Sequence, residues 1–248
     1  MRYELKAGVA VITLDEVDNR NALNARLING LGDGLTQALA DDAVRAIVLT
    51  HDGPVFCAGA DLKGGGQEPA RFGFPEVLSL MQDGAKPVVA VLRGPAMGGG
   101  VGLAAAADLS IASTDVTFGF TEVRIGLAPA MISVVCLPKL SKADAAELFL
   151  TGRKIPAARA AEVGLINRAV APEELDDAVT ELLHELVAGA PGGLAVSKQL
   201  LRDVPAMTRE DAFAFTQELS ASLFRSPEAA EGIAAFREKR PASWVPSD

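Results

Sequence analysis

Three consecutive glycines, Gly98, Gly99 and Gly100, separate an apolar run from Pro87 to Leu92 from an alanine-rich stretch that ends at Asp108. From Arg93 the segment reads RGPAMGGGVGLAAAAD. A short apolar run marks a buried strand and consecutive alanines favour a helix. The chain is therefore read as a strand delivering the backbone to a side-chain-free turn at a helix N-terminus. Without Cβ atoms, such a turn lets a ligand touch the main chain. The first N–H groups of the helix have no intrahelical partner, and the helix dipole adds partial positive charge there. Such a turn suits an anion, or a carbonyl oxygen about to become one. A phosphate cradle of the form GxxxxGK[ST] is excluded because no Lys follows the glycines, and GxGxxG fails at Leu103. A tight packing turn remains the alternative for the run taken alone.

A second turn of the same kind lies upstream. Phe56-Cys57-Ala58-Gly59-Ala60-Asp61-Leu62 follows the strand Ala46-Ile47-Val48-Leu49-Thr50 and the loop His51-Asp52-Gly53-Pro54. Small residues at 58–60 again leave backbone N–H groups accessible. Two such turns, each after a buried strand, can converge on one oxygen from two sides.

These segments, with Asn19-Arg20-Asn21-Ala22-Leu23-Asn24, FGFTEVRIGL at 118–127, LTGRKIPAARAAEVGLINRAV at 150–170 and SPEAAEGIAAFREKR at 226–240, resemble the crotonase superfamily, the enoyl-CoA hydratase/isomerase family. The similarity runs nearly end to end. It implies an α/β fold: a crotonase-type β-β-α spiral core over 1–190 and a C-terminal helical trimerisation region over 191–248. It further implies a homotrimer or dimer of trimers, and an acyl-CoA thioester whose carbonyl sits between two backbone amides. Coenzyme A is then part of the substrate, and no separate cofactor is expected.

By position in that family, Ala60 and Gly99 supply the two amides, and Glu122 is the acid–base residue. Glu122 stands among Phe118, Phe120, Val123 and Ile125, where burial pushes a carboxyl pKa upward. A helix cap, or a surface pair with Arg124, is the alternative reading of Glu122. For the coenzyme A portion, the resemblance points to Arg20 near the phosphates and to Ala22 and Leu23 beside the pantetheine. Ala58, Asp61 and Leu62 line the path, and Phe236 precedes Lys239, which matches a lysine reaching a neighbouring subunit's phosphates. Solvated surface charge is the rival reading of Arg20 and Lys239, and turn capping that of Asp61.

The sequence also departs from the family's commonest pattern. Two-glutamate hydratases carry their first carboxylate at position 102, which is Gly102 in this chain. Glycine cannot orient a water, so Glu122 is left to act alone. That fits a one-carboxylate hydratase, a Δ3,Δ2-enoyl-CoA isomerase, or a non-catalytic acyl-CoA carrier or regulatory protein. The segment TEVRIGLAPAMIS and the C-terminal segment resemble one-glutamate bacterial hydratases, including those assigned to methylglutaconyl-CoA, which favours the hydratase. Gly102 is expected to leave room beside the substrate Cβ for a branched or bulky acyl group. Ala130 stands where dienoyl-CoA isomerases and aryl-CoA dehalogenases carry aspartate. Tyr3 is the only tyrosine, which removes the branches that rely on a C-terminal one. His51 and His184 alone are too few for a histidine metal site or a Ser-His-Asp arrangement.

A net charge of −9 over 248 residues argues against a nucleic-acid or membrane-surface partner. Cys57 and Cys136 give no disulfide framework and suit a reducing cytoplasm. No signal-peptide pattern opens the sequence, and the longest apolar stretch, near Leu127 to Leu137, is broken by Pro129, so a soluble protein is expected. Strands near 2–6 and 9–14 form a hairpin at Ala7-Gly8. A helix from about Arg26 to Ala40 places Leu27, Leu31, Leu35 and Leu39 at helical spacing. Strand 45–50, a loop over 51–70, helix 72–84, strand 87–92, helix 98–107 and strand 108–112 follow. This alternation predicts a mostly parallel sheet. The loop from Gly64 to Pro69 is expected to be mobile, and from Glu173 onward the pattern is helical, punctuated by Pro191, Pro205 and Pro227.

Overall fold

The computed structural model describes residues 1–64 and 68–245. The chain opens with β1 (Arg2–Lys6) and β2 (Val9–Leu14), joined by Ala7 and Gly8, both with positive φ. Two positive-φ residues in succession match the right-handed twist of a tight hairpin. Then come α1 (Ala25–Ala40), β3 (Ala46–His51), α2 (Phe74–Asp83), β4 (Val88–Leu92), β5 (Ala96–Met97) and α3 (Gly99–Ala106). β6 (Leu109–Ser113), β7 (Thr117–Gly119), α4 (Ala130–Cys136), α5 (Lys142–Thr151), β8 (Lys154–Pro156), α6 (Ala157–Glu162) and β9 (Arg168–Val170) follow. Four helices close the chain: α7 (Leu175–Ala188), α8 (Pro191–Asp203), α9 (Arg209–Phe224) and α10 (Pro227–Glu238).

Six strands form the main sheet in the order β1-β2-β3-β4-β6-β9, parallel except for β1. Alternate side chains go to opposite faces. Ile12, Leu49, Ala90 and Leu92 join one large core with α1, α2 and α3, whereas Val48, Val89, Val91 and Ile111 pack against Leu175, Leu182 and Val187 of α7. A parallel sheet covered on both faces needs apolar residues at every position, and β4 is buried throughout. Helix α3 is buried from Gly100 to Ala106, which explains its unbroken run of small and apolar residues.

The structure corrects the sequence reading at one point that positions the site. β4 does not lead straight into the glycine turn. The chain first passes through β5, which belongs to a second sheet of order β5-β7-β8. There β5 pairs parallel to β7, Ala96 opposite Phe118 and Met97 opposite Gly119. The glycine turn is thereby set directly beside the 118–122 segment. Of the loop expected to be mobile, Gly65, Gly66 and Gln67 lie outside the described residues. Glu68 and Pro69 are anchored, both accepting hydrogen bonds from Asn29 Nδ2.

Prolines stand in the first turns of α8 and α10, where the ring's fixed φ suits the helix and no N–H is needed. α8 is fastened to the core by Lys198, whose Nζ donates to Met81 O, Lys86 O and Asp108 Oδ2. Among the described residues no helix is long and apolar enough to cross a membrane.

Candidate active site

Two main-chain turns meet at the N-terminus of α3. Cys57 pairs with Ala96: Cys57 N donates to Pro95 O and Met97 N to Cys57 O. Leu23 bridges to Ala60 by donating to Gly59 O and accepting from Asp61 N. In a parallel bridge of this register, Leu23 uses its own groups and Ala60 does not, so the Ala60 N–H is directed away from Leu23. Gly59 has a φ of +90°, and a Cβ there would stand 2.9 Å from Met97 O and 3.6 Å from Gly99 N. A Cβ on Gly100 would lie 2.5 Å from Cys57 O. Only glycine permits this approach of backbone to backbone. Among the described residues, no hydrogen bond uses the N–H of Ala60 or of Gly99.

The segment before α1 is held by asparagines. Arg20 and Asn21 both have positive φ. Asn21 is fully buried and its Nδ2 donates to Asp52 O and Val55 O, while Asn24 Oδ1 caps α1 by accepting from Leu27 N. Asn21 thus positions Leu23, and with it the 58–61 turn. An asparagine at a left-handed position is its only sequence signal.

Glu122 lies in the first turn of a 3-10 helix over Thr121–Ile125, directly after the buried residues Phe118 and Phe120. Its Oε1 falls 2.9 Å from where a Cβ on Gly98 would be, so the carboxyl rests on the glycine turn. Its Oε2 is buried and has no hydrogen-bond partner. Burial raises the carboxyl pKa, opposed by the residue's own backbone N–H. Glu122 is neither a helix cap nor a partner of Arg124, whose Nε donates to Gly152 O.

A cavity of about 280 Å³ opens at this point. Among the sequence-predicted residues its wall contains Leu23, Ala58, Ala60, Leu62, Gly99 and Glu122. It also contains residues that the sequence reading missed, among them Ile28, Phe74, Thr121, Met131 and Ile132. The others lie elsewhere. Ala22 is buried behind the turn. Arg20 is exposed, and its carbonyl accepts from Ala58 N. Asp61 accepts from Lys63 N through Oδ1, a turn-capping role, and faces a neighbouring polar cleft with Asp15, Glu16 and Arg26. Phe236 and Lys239 are exposed at the end of α10, outside the cavity wall.

The expectation for Gly102 is corrected. A Cβ on Gly102 would stand 2.3 Å from Ile132 Cγ2. The space left by the missing side chain is filled by α4, and Gly102 gives no room to a ligand.

His51 serves the fold: its Nε2 accepts from Arg93 N, and burial lowers its pKa. Cys57 and Cys136 are free and buried, with burial raising each thiol to about 12. Among the described residues no cluster of His, Cys, Asp and Glu has metal-binding geometry.

The sequence profile of the enoyl-CoA hydratase/isomerase family matches residues 4–246. The chain belongs to the enoyl-CoA hydratase/isomerase family. It is 37% identical to a Thermus thermophilus protein provisionally named an enoyl-CoA hydratase, over 95% of this chain and 97% of the other. It is 34% identical to a carnitinyl-CoA dehydratase of Salmonella arizonae, over 98% and 97%. The crystal structure of an enoyl-CoA hydratase from Mycobacterium smegmatis superposes with a TM-score of 0.90 at 31% identity, covering 98% of each chain. The fold described above is accordingly the crotonase fold.

Proposed function

We propose that this family member is an enoyl-CoA hydratase, adding water across the 2,3 double bond of an acyl-CoA thioester. The observation that carries the reading is the Glu122 carboxyl resting on Gly98 with its Oε2 unpartnered, beside two N–H groups that, among the described residues, no protein acceptor uses. The thioester oxygen takes hydrogen bonds from Ala60 N and Gly99 N, and these strengthen as the carbonyl becomes an enolate. One such donor is worth roughly 10²–10³ in rate. Glu122 removes a proton from water as the water oxygen bonds to C3, then returns that proton to C2. One carboxyl is base and acid in turn, and no second titratable group is required. The coenzyme A portion runs past Leu23, Ala58 and Leu62 towards Arg20 and Asp61. Phe236 and Lys239 contribute from a neighbouring copy in a homotrimer or dimer of trimers. The substrate carries coenzyme A, and no further cofactor takes part. The relatives named for hydration and for dehydration describe opposite directions of one bond-making step.

The apolar Ile132 over Gly102, where a second carboxylate would stand, favours one other reading: a Δ3,Δ2-isomerase in which Glu122 carries a proton between C2 and C4. Absorbance of the conjugated enoyl thioester separates the two. Loss of the band with crotonyl-CoA, abolished in Glu122→Gln, is the result expected. A growing band with a 3-enoyl-CoA and none lost with crotonyl-CoA assigns the isomerase. Tight binding with neither change assigns a carrier and overturns the enzyme reading.

A further inference from the structure

Gly98, the N-cap of α3, lies one hydrogen-bonded turn before Gly102, whose N donates to Gly98 O at 3.2 Å. Each glycine is covered by one side chain from the opposing segment. Glu122 lies over Gly98, with Oε1 2.9 Å from the Cβ position. Ile132 lies over Gly102, with its Cγ2 at 2.3 Å and its Cβ at 3.0 Å from the corresponding point. Both side chains line the cavity, the isoleucine over the glycine one turn further into α3 than the one under the carboxyl. It is 3% exposed, packed into the core from behind, and lines the cavity in front. Among the described residues, Glu122 is the only ionisable side chain in that wall, and Thr121 the only other polar one.

We infer that Ile132 is a specificity-determining residue, restricting the acyl group to one unbranched at Cβ and free of a carboxylate. The inference rests on the acyl-CoA reading above. A second substituent on Cβ, on the side of α3, meets a side chain that cannot retreat, because a close-packed interior has no void to receive it. One methylene too many in a fitted apolar pocket costs roughly 10–200-fold. A carboxylate on the acyl chain would enter beside Glu122 in an apolar cavity with no cation to pair with it, and like charges there oppose binding. The glycine at position 102 therefore narrows the site, because what it admits is the isoleucine.

The test uses saturated thioesters, which cannot be hydrated, so the pocket is read apart from turnover. Calorimetric titration with butyryl-CoA, 3-methylbutyryl-CoA and glutaryl-CoA is expected to give at least about 10-fold tighter binding of butyryl-CoA than of either other ligand. In Ile132→Ala the 3-methyl penalty falls to within about 3-fold while the glutaryl penalty remains. Gly102→Ala, whose new methyl pushes Ile132 into the cavity, increases the 3-methyl penalty. Ile132→Val gives the sign of Ile132→Ala at smaller size, should the larger truncation fail to fold. Equal wild-type affinity for butyryl-CoA and either other ligand overturns the inference, as does a 3-methyl penalty unmoved in Ile132→Ala or Ile132→Val. If none of the three thioesters binds, the inference and the acyl-CoA reading both fall. If discrimination is present but crotonyl-CoA is not hydrated, the hydratase reading alone falls.

Discussion

Glu122 Oε2 is sealed from solvent without a donor, and burial holds the carboxyl above its ordinary value of 4.5. A folded-state pKa above the unfolded one means that protonation favours folding. This contribution is complete below the unfolded pKa and lost as pH rises through the raised folded pKa. At neutral pH an ionised Glu122 therefore opposes folding. Glu122→Gln is expected to raise the thermal midpoint at pH 7 while lowering kcat at least about 10²-fold, checked by calorimetry and crotonyl-CoA hydration. The wild-type rate should fall on acidification with a midpoint above the usual glutamate range, because the first step needs the carboxylate. At position 60 a proline deletes one donor, yet the bridge to Leu23 survives because it uses Gly59 O and Asp61 N. Ala60→Pro is expected to cut kcat about 10²–10³-fold with an unchanged far-ultraviolet spectrum. At this scale the sequence was informative where chemistry is tied to a residue type: the glycines, Ala60 and the lone glutamate. It was silent on Ile132, because which side chain fills a glycine's empty space depends on a helix from a distant segment.

The elements that carry the site were legible in proportion to their length. α1 shows its leucine stripe and β3 and β4 their unbroken apolar runs, so the helix could be read from its period and the two strands from their composition. β5, β7 and β8 have two or three residues each, too few for alternation to register. Their pairing nevertheless decides that Glu122 lies beside Gly98. Connections between elements matter as well. Lys198 is 8% exposed and gives all three of its described hydrogen bonds to acceptors on the core, including Asp108 just beyond α3. Lys198→Met would leave the half-buried Asp108 carboxylate without its ion-pair partner, Lys139 being the remaining cation that acts on it. Breaking such a pair costs about 3 kcal/mol, to be read as a lower denaturation midpoint in urea with an unchanged slope.

On the scale of the whole molecule, α9 has no buried residue, and Phe213 and Phe224 on it are 63% and 75% exposed. Leu201 and Phe236 on the adjoining helices are similarly open. A helix that buries no residue fully in its own protomer gains little from folding alone, which supports the proposed assembly. Light scattering is expected to give a trimer or a multiple of it, with Phe224→Asp shifting the mass towards the protomer. If Lys239 serves a neighbour's phosphates, Lys239→Ala raises KM for a coenzyme A thioester several-fold at unchanged kcat and leaves a pantetheine thioester unaffected. The sequence reading reached the composition of these helices. Which faces stay open is a property of the packed chain.

The joined turns have a consequence for how the protein loses activity. The segments bearing Ala60 and Gly99 are tied by main-chain bonds from Cys57 N to Pro95 O, Met97 N to Cys57 O and Gly98 N to Gly119 O, and flanked by the fully buried Phe56 and Phe118. Regions so enclosed open only when the rest does, whereas an exposed rim such as Ile125 and Leu127 can breathe by itself. Amide protons of Met97 and Gly98 should then exchange with deuterium as slowly as those of β4. Heat inactivation should track global melting, leaving no temperature window in which a folded molecule has a broken centre.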